Sequence, residues 1–314
     1  MQVGNLRNSR LQSALRFKHS PHEIVFVDSM NRSTHSKPVE EIPTDPMLKF
    51  KLVIAYDGRN YAGWQIQKIG LGVQQKVEEA LAKLFPGVKR IHSSSRTDTG
   101  VHALGMVAHV EIPKELFRMP VEKLRLALNA HLPEDIRIMS ATRCRPRFHA
   151  RFDASGKQYR YAIWNHGSMN PLLRHQAWHV AQPLDLTQMR TAAKLFLGKH
   201  DFRSLAANRS YEVADTVRTL RRCDVKKSGP QLTVIIEGDG FLYKMCRGIV
   251  GTLVQVGQGK IPASEITNII DHKDRRMAGM TAPAHGLVLW KVFYGPKAER
   301  LESKPGKLSE DPDE

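Results

Sequence analysis

Three observations on the 314-residue sequence predict an α+β fold with mostly antiparallel sheets covered by helices on one face. Segments that alternate apolar and polar residues outnumber segments with helical spacing. Two of the alternating runs are separated by Ser228-Gly229-Pro230, which marks a hairpin and therefore antiparallel pairing. The succession of strand and helix patterns in the first half nearly recurs in the second, so each half can form one sheet layer with its own helices.

In chain order, Leu48, Phe50, Leu52, Ile54 and Tyr56 alternate with mostly polar neighbours and predict a strand with one buried face. Val73, Val77, Ala80, Leu81 and Leu84 then form a helical stripe. Two strands follow, one over Val88 to His92 and one in which Leu104, Met106, Ala108, Val110 and Ile112 share a face, with residues 96–103 in the loop between them. A helix is expected around Leu124 and Leu128. The second half opens with a strand carrying Tyr159, Tyr161 and Ile163 on one face, then a helix with Leu186, Met189, Ala193, Phe196 and Leu197. The hairpin over Val217 to Val225 and Leu232 to Glu237 comes next, then a helix with Met245, Ile249, Leu253 and Val256 in register, and a last strand from Leu287 to Tyr294. Domain boundaries are expected at 47–153 and 154–295, with a flexible basic segment over 1–46 and a charged, disordered tail over 296–314.

The first 46 residues lack sustained periodicity, and no acid precedes Glu23, while Arg7, Arg10, Arg16 and Lys18 stand among Leu6, Leu11, Leu15 and Phe17. They read as a basic tail, or as upstream sequence before a later start at Met30 or Met47. An organellar presequence is the alternative.

Composition narrows the function classes. With 48 Lys and Arg against 31 Asp and Glu, the formal charge of +17 favours a polyanionic partner, nucleic acid first. A hydrophobic content of 41% supplies a core and excludes disorder throughout. No apolar run approaches the ~20 residues of a membrane helix. Cys144, Cys223 and Cys246 form no C-x-x-C pair, and His102, His109, His149 and His200 are scattered, so neither a disulfide framework nor a metal site is expected. The thiol usage fits a reducing compartment, and a cytoplasmic location is expected, or an organellar matrix if the first 46 residues are a transit segment. No Walker loop or convincing dinucleotide fingerprint is present, and no cofactor is expected.

The segment Arg96-Thr97-Asp98-Thr99-Gly100-Val101-His102-Ala103 places an acid between an arginine and a glycine in a strongly basic chain. Gly100 permits a tight turn with positive φ, which can display the carboxylate on a rigid support. The same octapeptide resembles the active-site loop of tRNA pseudouridine synthases of the TruA type. The likeness continues in order through Tyr56-Asp57-Gly58 with Gly63-Trp64-Gln65, Leu128-Asn129 with Leu132-Pro133-Glu134-Asp135-Ile136, Phe148-His149-Ala150-Arg151 and Lys157-Gln158-Tyr159-Arg160-Tyr161. It ends with His200-Asp201-Phe202 and Ser204, Met245 to Gly251, and Thr281-Ala282-Pro283-Ala284 with Gly286-Leu287.

This resemblance implies two RRM-like α/β-sandwich domains with mostly antiparallel sheets joined across a central catalytic cleft. It also implies a homodimer that grips one tRNA and isomerises uridine to pseudouridine in the anticodon stem-loop, at conventional tRNA positions 38 to 40. That reaction breaks the N-glycosidic bond, turns the base and joins C1′ to C5, with no redox change, so one ionised carboxylate near sugar and base is its main requirement. Asp98 matches the family's catalytic aspartate, and Arg247 matches the arginine that pairs with it and keeps the charge through desolvation. Tyr159 matches the active-site tyrosine beside the flipped uracil, and Arg96 fills the space the base leaves. His102 stands close enough to touch RNA but receives no role.

Read without any family, Arg143, Arg145, Arg147 and Arg151 fall on one side of an extended run, with Phe148 and Phe152 on the other. They are expected to form a row of cations about 6 to 7 Å apart that tracks an RNA backbone. Three departures from the family pattern surround the loop, Ser95 for glycine, Thr99 for alanine and Met106 for glutamine, and they bear on target choice. A non-catalytic RNA-binding protein on the same scaffold is the alternative from another class, and a glycoside hydrolase is a third reading that requires a second carboxylate.

Overall fold

A computed structural model describes residues 46–88, 90–207 and 215–296. The segment expected over 1–46 and the tail expected over 296–314 therefore lie outside the described residues, apart from Pro46 and Pro296. The first half contains β1 (Met47–Tyr56), α1 (Val73–Leu84), β2 (His92–Ser93), β3 (His102–Pro113), α2 (Val121–Asn129) and β4 (Ile136–Arg143). The second contains β5 (Ala154–Asn165), β6 (Trp178–Val180), α3 (Leu186–Leu195), β7 (Gly198–Asp201), β8 (Val217–Ser228), β9 (Gln231–Gly238), α4 (Met245–Gly257), α5 (Glu265–His272) and β10 (Leu287–Tyr294).

Among the described residues, all ten strands belong to one sheet with the path β4-β1-β3-β10-β5-β9-β8-β7, while β2 pairs with β3 and β6 with β5. The first half runs β4-β1-β3-β2, and the second repeats that arrangement as β10-β5-β9-β8. Each half is thus a β-α-β-β-α-β unit. The seam between them is a short parallel pairing of β3 with β10, Val288 with His102 and Leu289 with Ala103. It is possible because β2 is only two residues long and covers His109 and Ala108, leaving the other end of the β3 edge open.

Alternation determines which side chains enter the core. Phe50, Leu52 and Ile54 of β1 are wholly buried with Val77 and Leu81 of α1, and Tyr161 and Ile163 of β5 with Met189 of α3 and Ile249 of α4. Asp185 caps α3 by accepting from the backbone of Thr187 and Gln188.

Two expectations are corrected. Leu104 does not share the buried face of Met106, Ala108, Val110 and Ile112; it is 49% exposed. Ile54 pairs with Met106 but Tyr56 with Ala103, so β3 carries one extra residue there, and this bulge turns Leu104 to solvent. The run from Arg143 to Phe152 is not extended beyond Arg143, where β4 ends. Phe148 N–H donates to the Arg145 carbonyl (3.0 Å) and Asp153 N–H to the His149 carbonyl (3.0 Å), so the chain turns twice. The cause is Asp153, whose carboxylate accepts from Arg145 (3.0 Å) and from His149 N–H (3.0 Å) and folds the segment around itself. Arg145 is consumed inside that turn, and of the four arginines only Arg151 reaches the cavity described next.

Candidate active site

Asp98 sits in the loop from β2 to β3, and the first half of the chain clamps that loop from several sides. Thr97 exchanges a hydrogen bond with the Tyr56 hydroxyl (2.7 Å), and its carbonyl accepts from Trp64 N–H (3.1 Å). Gly63 adopts φ +101°, and a Cβ there would press on the Thr97 carbonyl at 2.5 Å, so only glycine admits this approach. Gly100, at φ +77°, closes the turn and donates to the Tyr61 carbonyl (3.3 Å). Tyr61 in turn donates through its hydroxyl to Asp135 (2.7 Å).

The second half brings the partner. Arg247, in the first turn of α4, places its guanidinium 3.3 Å from the Asp98 carboxylate, with side-chain exposures of 14% and 19%. Its Nε donates to the Ala282 carbonyl (2.7 Å), which aims the guanidinium and satisfies a second donor. α4 lies close enough to do this because it is glycine-notched: a Cβ on Gly248 would overlap the Leu205 carbonyl, and one on Gly251 the Met280 carbonyl. The positive end of the α4 dipole adds to the field that favours an anion here.

Asp98 opens into a cavity of about 650 Å³ walled by both halves, with Trp64 and Arg96 on one side and Tyr159, Phe241 and Cys246 on the other. Among the described residues that line it, Asp98 is the sole acid, against Arg90, Arg96, Arg151, Lys157 and Lys244. Tyr159 is 7% exposed and meets the Phe241 ring edge-on at 5.1 Å. Burial first, then Cys246, Tyr56 and the Asp98 charge, push its phenol well above the ordinary range, so the hydroxyl keeps its proton. Arg96 is exposed at the cavity wall.

The structure therefore brings Asp98, Tyr159 and Arg96 together around one cavity, with Arg247 paired to Asp98 but off the lining, as are Arg143, Arg145 and Arg147. His102, unassigned from sequence, is a cross-brace. Its Nδ1 lies 3.1 Å from both the Gly58 N–H and the Asp57 carboxylate, and its Nε2 lies against the carbonyls of His175 (3.2 Å) and His285 (3.1 Å). Lys157 and Phe241 were not singled out by sequence reasoning. Alternation could have found Lys157, two residues before Tyr159 on the same strand face, whereas the loop holding Phe241 carries no comparable signal.

Similarity to known proteins decides the family. A family model described as tRNA pseudouridine synthase matches residues 52–153 and 192–295. The chain belongs to the tRNA pseudouridine synthase family. Among curated relatives, tRNA pseudouridine synthase A of Geobacillus kaustophilus is 43% identical over 248 residues, covering 78% of this chain and 94% of that protein. The same-named protein of Bacillus subtilis is 43% identical over 249 residues, 79% of this chain and 99% of its own. Members of this TruA-type synthase family are isomerases, and both matched segments of the model contribute to the cavity, the first through Asp98 and the second through Cys246.

Proposed function

We propose that this pseudouridine synthase acts on tRNA in the anticodon stem-loop, at positions 38 to 40, with Asp98 as the nucleophile. The observation that carries the reading is the single acid in the described lining of a cavity whose other charged residues are Arg and Lys, held 3.3 Å from a guanidinium. A polyanion is drawn to such a cleft, and one carboxylate suffices for an isomerisation that needs no second acid. Glycoside hydrolysis wants two carboxylates in acid and base roles, and the described lining offers one.

In this mechanism the uridine leaves the stack and its base enters beside Tyr159, while Arg96 takes the vacated space. Asp98 attacks C1′ as the bond to N1 breaks, and N1 holds the electron pair. The uracil turns, C5 attacks C1′, and the carboxylate leaves unchanged. Transfer of the C5 proton to N1 completes the isomer, and the protonated Tyr159 hydroxyl lies beside the base to relay it. Arg247 keeps Asp98 ionised when the incoming base expels water.

The test is incubation with tRNA carrying C5-tritiated uridine, comparing the wild type with Asp98→Asn. Wild type releases tritium; the variant's rate falls by a factor on the order of 10³ or more, with little change in RNA affinity. Equal release from both removes Asp98 from the nucleophile role, binding without release from either favours an RNA-binding protein, and free uracil favours hydrolysis.

Two further parts of the proposal concern context. A homodimer is supported by Leu104 and Trp290, 49% and 37% exposed at bulges beside the seam between the halves. The sparse thiol usage of the sequence suits a reducing compartment and supports a cytoplasmic location, with an organellar matrix as the alternative if residues 1–46 are a transit segment.

A further inference from the structure

Lys157 lines the same cavity as Asp98, and nothing in the mechanism above uses it. It stands two residues before Tyr159 on β5, so both side chains project from one face of the strand, about 6.6 Å apart along it. It is half-buried, and among the described residues it forms no ion pair or hydrogen bond. Its charged neighbours, Arg151 from the preceding turn and Arg218 from β8, have the same sign. The acids that flank its register partner Gly238 are engaged elsewhere: Glu237 accepts from Gln158 (3.1 Å) and Asp239 from Thr219 N–H (3.0 Å), while Asp98 faces Arg247. Burial, then Arg151 and Arg218, lower the Lys157 ammonium to about 8. A cation that is dehydrated, repelled and unmatched opposes folding, and such a local conflict persists where a ligand supplies the missing charge.

The missing charge is that of a phosphate. A lysine ammonium is a compact point charge with three donors, suited to a phosphate oxygen, and the cavity already has the sign that admits RNA. We propose that Lys157 binds the phosphodiester adjoining the uridine whose base enters beside Tyr159. This inference rests on the RNA substrate proposed above. Lys157 anchors the strand at the sugar-phosphate while Tyr159 meets the base, so the C1′ atom is brought to Asp98 from two points of hold.

The experiment uses the full chain carrying Asp98→Asn, which binds tRNA without turning it over, with Lys157→Gln or Lys157→Arg added. Affinity is measured across a salt series. Lys157→Gln weakens binding roughly tenfold and lowers the slope of log K against log salt by about one. Lys157→Arg retains the slope and most of the affinity. Lys157→Gln also leaves the thermal midpoint unchanged or raises it, since a dehydrated and repelled charge has gone, whereas removal of a merely structural lysine lowers it. With Asp98 intact, the loss in Lys157→Gln falls on KM more than on kcat. Unchanged affinity and slope in Lys157→Gln, or an equal loss in Lys157→Arg, overturns the proposal. The synthase reading fails separately, when wild type leaves uridine unchanged, because the salt slope is read without turnover.

Discussion

His109 shows how one buried side chain couples this fold to pH. The ring is 3% exposed, its Nδ1 accepts from Ala150 N–H (3.1 Å), and it packs against His149 (4.8 Å between ring centres) and His92 (5.1 Å). Burial, with the charges of His149, Lys49 and His92, lowers its pKa from 6.5 to about 3, while Asp153 opposes the shift. The folded state thus prefers the neutral ring, and this contribution to stability is full above 6.5 and is lost as pH falls from there toward 3. His109→Gln keeps an acceptor for Ala150 and removes the titration. Its thermal midpoint is therefore expected to fall less steeply than the wild type's between neutrality and about pH 4, and identical slopes would remove His109 from the acid response. The same cluster illustrates what residue-level reading of a sequence misses. His109 and His149 are 40 positions apart, and their edge-on contact follows only from the turn that Asp153 imposes.

At the scale of elements, the site is a loop and a helix held to a tolerance that glycine sets. The blocks that made the sequence recognisable turn out to be neighbours in space. Tyr56, Gly58, Gly63 and Trp64 grip the Asp98 loop, and the Ala282 carbonyl and Gly251 position α4 and its Arg247. Gly251→Ala drives a methyl into the Met280 carbonyl, two residues before the carbonyl that aims Arg247. The expected cost is about 1 to 3 kcal/mol of stability by chemical denaturation. A drop in synthase activity at temperatures where the variant is still folded is also expected, and full activity there would show that α4 placement is less critical than the packing suggests. Elements with strong period were legible: β1, α1 and α4 come from alternation or helical stripes, and β10 was found as an apolar run although a bulge interrupts it at Trp290. β4 and α5 were not, since the alternation of β4 is interrupted at a bulge near Met139, and α5 has only eight residues.

At the scale of the whole molecule, two similar layers become one sheet through a two-pair parallel seam, and the cavity has walls from both. Bulges in β3 and β10 turn Leu104 and Trp290 outward beside that seam, where Arg160 also lies 3.7 Å from the Trp290 ring. If a second copy covers this surface, Leu104→Glu shifts sedimentation toward monomer and leaves the thermal midpoint of the chain nearly unchanged, because the residue it replaces is already half in water. A wild type that sediments as a monomer at micromolar concentration would refute the homodimer.

Local periodicity alone determined most strands and helices, and a run of motifs alone drew attention to Asp98, Tyr159 and Arg247, because both signals are written in neighbouring residues. Only the tertiary structure decided which of the remaining charges are matched. It gives Arg145 to Asp153, turns Leu104 away from the core, and leaves Lys157 facing the cavity with cations for neighbours, whereas the pairing of Arg247 with Asp98 was already implied by the motifs. Charge matching and burial depend on distances between residues far apart in the chain, and those distances exist only once the two layers have packed.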